Sequence, residues 1–287
     1  MRITLKTKTG DISGSLLVPE VEHQVPVALI IAGSGPTDRD GNPPGVKNDS
    51  LKILAEALQQ NGIASVRYDK RGISESRGSG LEESALSIDH YIADATEWIS
   101  LLDKDKRFNQ VVVIGHSEGS MVGMVASRRA QADKFISLAG NGRTLDKLLL
   151  EQLNGQSAEL AELAAPVLRA LAQGNTLADV PDSLVSLFRP SVQPFFISVL
   201  QYDPVVEFGK LNIPSLVVQG STDIQIMVKD AKMLSAANSR ARLEIIQGMN
   251  HILKVAPEDR DQNIATYSES STPLHPGLIG PIVEFIF

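Results

Sequence analysis

Ser117 stands between two glycines in Gly115-His116-Ser117-Glu118-Gly119. A serine hydroxyl is a poor nucleophile at neutral pH unless a base takes its proton, so its use depends on a histidine and an acid that orients it. Two later stretches supply both types. Leu216-Val217-Val218-Gln219-Gly220-Ser221-Thr222-Asp223 carries a carboxylate just past an apolar run, and Leu243 to Ile246 leads in the same way to Gly248-Met249-Asn250-His251. Together Ser117, His251 and Asp223 are the three groups needed to attack an acyl carbonyl and pass a proton to the leaving group.

Such an attack also needs donors for the oxygen that becomes negative. The Glu118 amide would sit at the positive end of a helix that starts beside the serine. A second amide is expected from Ala32-Gly33-Ser34-Gly35-Pro36, whose glycines let the backbone turn its N–H groups inward. Ser34 is the first choice and Gly35 the alternative. Among the other histidines, His116 adjoins the serine and reads as a packing residue, His23 and His90 read as structural, and His275 is a distant second for the base. Asp203 and Asp230 are lesser candidates for the acid, explained by turn chemistry and a solvated helix face. Asp38-Arg39-Asp40 reads as a loop fixed by local ion pairs, with contact between Arg39 and a substrate carboxylate as the weaker alternative. Its glycine, Gly41, falls too early for a calcium loop, and no bidentate Glu follows at the required place. Tyr68-Asp69-Lys70-Arg71-Gly72 reads as a charged turn after a strand.

These groups must be carried by elements that bring them to one place. Val27 to Ile31, Val111 to Ile114, Phe135 to Leu138 and Leu216 to Val218 are short, continuous apolar runs, the pattern of parallel strands covered on both faces. Ile63 to Tyr68 and Ala241 to Ile246 are weaker members of the set. Between them lie helical stripes, Leu51, Leu54 and Leu58 up to Gly62, and Ile88, Tyr91, Ile92, Ala95, Ile99 and Leu102. Strand and helix alternate, which predicts an α/β class with a mainly parallel sheet. A hairpin around Thr9-Gly10 precedes it, and an amphipathic helix over Leu278 to Phe287 ends it. The alternation stops between about Asn141 and Leu211, where leucine stripes predict several helices and no strand. The expected division is therefore a core of residues 1–140 and 211–287, with residues 141–210 as a helical cap inserted over the strand ends.

Composition narrows the partners. The 287 residues carry a net charge of −7 with no basic block, which speaks against nucleic acid and anionic membranes. With no cysteine, disulfides, thiolate metal sites and cysteine nucleophiles are excluded. Neither a spanning helix nor a leader is evident, so the expectation is a cytoplasmic protein, or a secreted or periplasmic one if a signal segment has been removed. Asn48-Asp49-Ser50 fits a glycosylation triplet, a pattern frequent by chance.

The chain resembles the α/β-hydrolase superfamily over essentially its full length. The resemblance is carried by Ala-Gly-Ser-Gly-Pro at 32–36, Tyr-Asp-Lys-Arg-Gly-Ile-Ser at 68–74, Gly-His-Ser-Glu-Gly at 115–119, Gly-Ser-Thr-Asp at 220–223 and Asn-His at 250–251. The order Ser, Asp, His is the order of that architecture. More closely, the chain is similar to cap-bearing bacterial hydrolases grouped with carboxylesterases and serine aminopeptidases. That resemblance implies Ser117 as nucleophile, Asp223 as acid, His251 as base, and a lid over the site. One departure is Ala32, where many relatives carry His, so the oxyanion loop lacks that side-chain support. The expected activity is a serine carboxylesterase acting on a small-molecule ester with an apolar acyl group, with no metal or organic cofactor. Thioesterase, peptidase and C–C hydrolase activities use the same three groups and are the alternatives. An imidazole base predicts a rate that rises with pH through the acid side of neutrality; a flat profile from roughly pH 5 to 8 would count against His251.

Overall fold

The computed structural model describes residues 1–287. The strands are β1 (Arg2–Thr7), β2 (Gly10–Leu17), β3 (Val25–Ile31), β4 (Ala64–Tyr68), β5 (Phe108–His116), β6 (Lys134–Leu138), β7 (Ser215–Gly220) and β8 (Ala241–Ile246). They form one sheet in the order β1-β2-β4-β3-β5-β6-β7-β8. The first hairpin is antiparallel and joins β4 antiparallel; every pairing from β4 to β8 is parallel. A parallel pair needs a crossover, and helices supply it. These are α1 (Ser50–Gln60), α2 (Ile88–Asp103) and α3 (Glu118–Ala130) in the first half of the chain.

Alternate residues of the central strands serve opposite faces, which is why their sequences read as unbroken apolar runs. In β5, Val111 and Val113 join Trp98, Phe135 and Phe208 on one side, while Val112 and Ile114 join Leu51, Leu54 and Leu58 of α1 on the other. Each such side chain, fully withdrawn from water, contributes about 1.5–3 kcal/mol before entropy is charged against it. β5 is longer than its apolar run. Asn109 is exposed and Gln110 half-buried, yet the strand begins at Phe108 because Phe108 aligns with Val25 of β3, and it extends through His116, which aligns with Leu138 of β6.

Between β6 and β7 the chain forms α4 (Leu145–Asn154), α5 (Ala158–Ala172), α6 (Val185–Phe188), α7 (Gln193–Leu200) and α8 (Pro204–Gly209), with no strand among them. Leu153, Val167, Leu168, Leu171, Phe188 and Phe196 pack into an apolar cluster of their own, separate from the two that flank the sheet. The chain closes with α9 (Val228–Ala237), α10 (Arg260–Ala265) and α11 (Ile279–Ile286). Ile282, Phe285 and Ile286 of α11 join α1 on the second face of the sheet. No single helix is long and apolar enough to cross a membrane.

Candidate active site

Ser34, Ser117, Asp223 and His251 all follow the carboxyl ends of parallel strands, so the topology delivers them to one edge of the sheet. Ser117 is the single residue between β5 and α3, and it adopts φ 55° and ψ −123°. That conformation is strained for a residue with a Cβ. It is held by the Ser117 N–H, which donates to Leu138 O at 2.9 Å, and by Ser120 N–H, which donates back to Ser117 O at 2.9 Å. The flanking glycines are required by contact: a Cβ on Gly115 would lie 2.3 Å from Gly119 O, and one on Gly119 would lie 2.4 Å from Ile31 O.

His251 Nδ1 and Asp223 Oδ2 are 2.8 Å apart, and both side chains are buried. Asp223 is fixed further by Gln219 Nε2 on Oδ2 at 3.0 Å, and by the N–H groups of Gln225 and Ile226 on Oδ1 at 2.8 and 3.0 Å. Burial alone would raise its pKa; the His251 charge and hydrogen bond, with the Ile226 and Gln225 amides, outweigh it and hold the carboxyl below its ordinary range. Ser117 Oγ makes no hydrogen bond to a protein group, but it shares a cavity of about 230 Å³ with His251. The structure therefore brings the three predicted residues to one site, with the His–Asp bond formed and the Ser–His bond open.

The two residues expected to supply oxyanion donors lie at the same site. Neither the Ser34 nor the Glu118 N–H donates to any protein acceptor, and both residues line the cavity of about 100 Å³ over Ser117. Leu145, Leu148 and Leu149 of α4, Met121, Val199 and Ile226 form its apolar wall. No cluster of three or more His, Asp or Glu side chains is arranged to hold a metal ion.

Several readings of single residues change. Asp230 does not face solvent: it is fully buried and takes two bonds from Arg143, each 2.8 Å, while also accepting from the Gly142 N–H. Asp203 is the N-cap of α8, accepting from the Val205 amide at 3.0 Å. His90 caps α2 with Ser87, and His275 Nδ1 accepts from the Gly277 N–H. Arg39 is not free for a substrate, since its Nη2 binds Asp69 Oδ2 at 2.6 Å and Glu75 Oε2 at 2.7 Å. Asp40 pairs with Arg67, whereas Asp38 makes no ion pair and instead accepts from the Asp40 and Asn42 amides. The charged turn at 69–71 follows β4 as its sequence reads, and the structure adds that Asp69, Lys70 and Arg71 are all buried, with Arg71 paired to Asp94.

His116 does more than pack. Its Nε2 lies 2.8 Å from His251 O, so it braces the loop that carries the candidate base. Nothing in the sequence signals this contact, because its partner is 135 residues away. Burial, then the charge of His251, lowers its pKa to about 4. The unfolded chain, with an ordinary value of about 6.5, takes up a proton that the fold refuses. His116 thus leaves stability intact above about pH 6.5 and costs up to about 3 kcal/mol as pH falls toward 4. His116→Gln, whose amide can still donate to His251 O, is expected to flatten the fall of Tm between those pH values. An unchanged slope in thermal melts across that range would refute the assignment.

A mainly parallel sheet with a serine elbow, an acid after β7 and a histidine after β8 defines an α/β hydrolase. Residues 49–258 match the model of the family described as serine aminopeptidase, S33, and the chain belongs to that family. Esterase EstD of Thermotoga maritima is 29% identical over 245 residues, which cover 84% of this chain and 57% of that protein. The chain thus spans little more than half the length of this curated relative. Among solved structures, Est1E from Butyrivibrio proteoclasticus superposes with a TM-score of 0.63 at 15% identity, covering 99% of this chain and 98% of that one. A bromoperoxidase from Bacillus anthracis gives 0.57 at 16% identity, over 94% and 98%. At such identities the likeness is one of fold.

Proposed function

We propose that the protein is a serine carboxylesterase for small acyl groups, with Ser117 as nucleophile, His251 as base and Asp223 as the acid that orients it. The observation that carries this reading is the 2.8 Å His251–Asp223 bond opening on the cavity that holds the strained Ser117. In the acylation step, Ser117 Oγ attacks the ester carbonyl as its proton passes to His251 Nε2. The carbonyl oxygen takes the negative charge between the Ser34 and Glu118 amides. Collapse of that adduct breaks the bond to the alkoxy oxygen, which leaves with the proton from His251. Water, deprotonated by His251, then attacks the acyl-enzyme, releasing the acid and restoring Ser117. The wall of Leu145, Leu148 and Leu149 favours an apolar acyl chain, and helices α4 to α8 act as its cap. The likeness to Esterase EstD supports ester over amide cleavage.

A cavity of about 100 Å³ is small beside ordinary ligand pockets of about 300–1,000 Å³. Hydrolysis of p-nitrophenyl esters of graded length should therefore peak at acyl chains of about two to four carbons and decline for longer ones. Faster turnover of aminoacyl p-nitroanilides than of any ester would overturn the reading in favour of a peptidase.

A further inference from the structure

Lys70 is 3% exposed, and its ammonium group is not spent on a carboxylate. Its Nζ donates to Gly33 O and, at 2.8 Å, to Gly35 O. Burying a lysine costs several kcal/mol unless the charge is compensated, so this placement calls for an account. The two carbonyls belong to the loop after β3, and Gly33 is pressed against the candidate nucleophile, since a Cβ there would lie 3.1 Å from Ser117 Cβ. The Gly33 carbonyl and the Ser34 N–H are two ends of one peptide unit. The chain has no cis peptide bonds, so those ends point in opposite directions. With the ammonium on the carbonyl end, the N–H end is turned away from Lys70, and Ser34 lines the cavities that hold Ser117.

From this placement we infer that Lys70 is a positioning residue for the oxyanion site: it fixes the Gly33–Gly35 backbone and polarises the peptide whose N–H, on Ser34, receives the developing charge. The inference rests on the esterase reading and adds to it a residue that touches neither substrate nor Ser117. A cation on the carbonyl of a peptide draws electron density toward oxygen and makes the N–H a stronger donor. Two features of the surroundings favour the charged form against the cost of burial. The Tyr91 ring lies 5.4 Å from Nζ, and the opposite charge acting on it is that of Glu118, the residue after the nucleophile. Burial pulls the lysine down and the glutamate up, and each charge works against the other's shift.

The test uses the full chain with Lys70→Met, which keeps the length and removes donor and charge, and Lys70→Gln, which keeps a neutral donor. Loss of one oxyanion donor typically lowers kcat by about 10²–10³-fold. Lys70→Met is expected to lose about 10²-fold in kcat on p-nitrophenyl butyrate with KM within about threefold, and Lys70→Gln to fall between it and the parent. The decisive comparison is with the matching thionoester, whose sulfur is a poor acceptor in a site built for oxygen. The parent's preference for the oxygen ester should shrink by at least about tenfold in Lys70→Met, because that preference reports the donors themselves. A folded Lys70→Met with kcat within about threefold of the parent would overturn the inference. So would a large loss with the oxygen preference unchanged, which is the mark of general disorder. Should Lys70→Met fail to fold, Lys70→Gln decides by the same ratio. Fluorophosphonate labelling of Ser117, which also builds negative charge on oxygen, separates the two proposals. If the parent is labelled but cleaves no ester, the esterase reading falls while the slowed labelling of Lys70→Met still supports the positioning role. If the parent is neither labelled nor active, both fall.

Discussion

Ser117→Ala is expected to lower kcat on a short p-nitrophenyl ester by about 10⁴–10⁶-fold, because it removes the hydroxyl that forms the acyl-enzyme. KM and the far-ultraviolet circular dichroism should stay as in the parent, since Ser117 Oγ makes no hydrogen bond whose loss would disturb the fold. Retention of more than about 1% of the parent rate would exclude Ser117 as nucleophile. A companion substitution reads the backbone. At φ 55° and ψ −123° any side chain is strained by about 1–3 kcal/mol. Ser117→Gly removes that strain while loosening the unfolded chain by up to about 1 kcal/mol. It should be inactive yet melt about 2 °C above Ser117→Ala. Equal melting of the two variants would show that the elbow stores no more strain than the glycine's entropic cost of about 1 kcal/mol.

Asp223→Asn should leave the site assembled and nearly silent. With Asp223 as acceptor, the His251 proton resides on Nδ1 and the other ring nitrogen is free to take the proton of Ser117. An amide at 223 would keep its oxygen for the Gln225 and Ile226 N–H groups, which bind Oδ1 now. Its NH₂ would then face both His251 Nδ1 and the Gln219 amide nitrogen, two donors where Oδ2 now accepts. The imidazole escapes by moving its proton to Nε2, where it can no longer act as base. The expected fall in kcat is about 10⁴-fold, the size seen when the acid of a serine protease is so replaced. A fall below about tenfold in steady-state assays would mean that His251 is oriented by something else. The same substitution reports on acid stability. With its carboxyl held below the ordinary range, Asp223 stabilises the fold above its unfolded value of about 3.9, and this is lost as pH falls through the lower folded value. Asp223→Asn should accordingly narrow the gap in Tm between neutral and strongly acid solution.

The alternation of strands and helices and the places of Ser117, Asp223 and His251 were legible because they rest on local pattern. A buried parallel strand must be apolar on both faces, and a group just past its end must lie at the sheet edge. The charged interior was not legible for the opposite reason. Asp69, Lys70 and Arg71 carry three charges in a row and read as a charged turn, yet those charges are buried and met by Arg39, the Gly33 and Gly35 carbonyls, and Asp94. Each partner is at least 23 residues away along the chain. Lys254 is the extreme case, fully buried with its Nζ on Asn48 O at 2.8 Å across 206 residues. Hydropathy reports the cost of burying such a group but not the distant acceptor that offsets it. Asp230 was misplaced in the same way, since its helix pattern is local and Arg143 is not.

Between β6 and β7, Leu153, Val167, Leu168, Leu171, Phe188 and Phe196 form a cluster of their own, while Val199 and Phe208 anchor the same helices to the core of the sheet. Their neighbours Leu145, Leu148 and Leu149 form one wall of the cavity over Ser117, while the reacting groups hang from strands whose packing lies elsewhere. Heredity can therefore work on the lining of the cavity more freely than on the strands. On the esterase reading, drift at Leu145, Leu148 and Leu149 would change which molecules are accepted without touching Ser117, Asp223 or His251, so related chains with one reactive centre could diverge in diet while the scaffold beneath them stays the same.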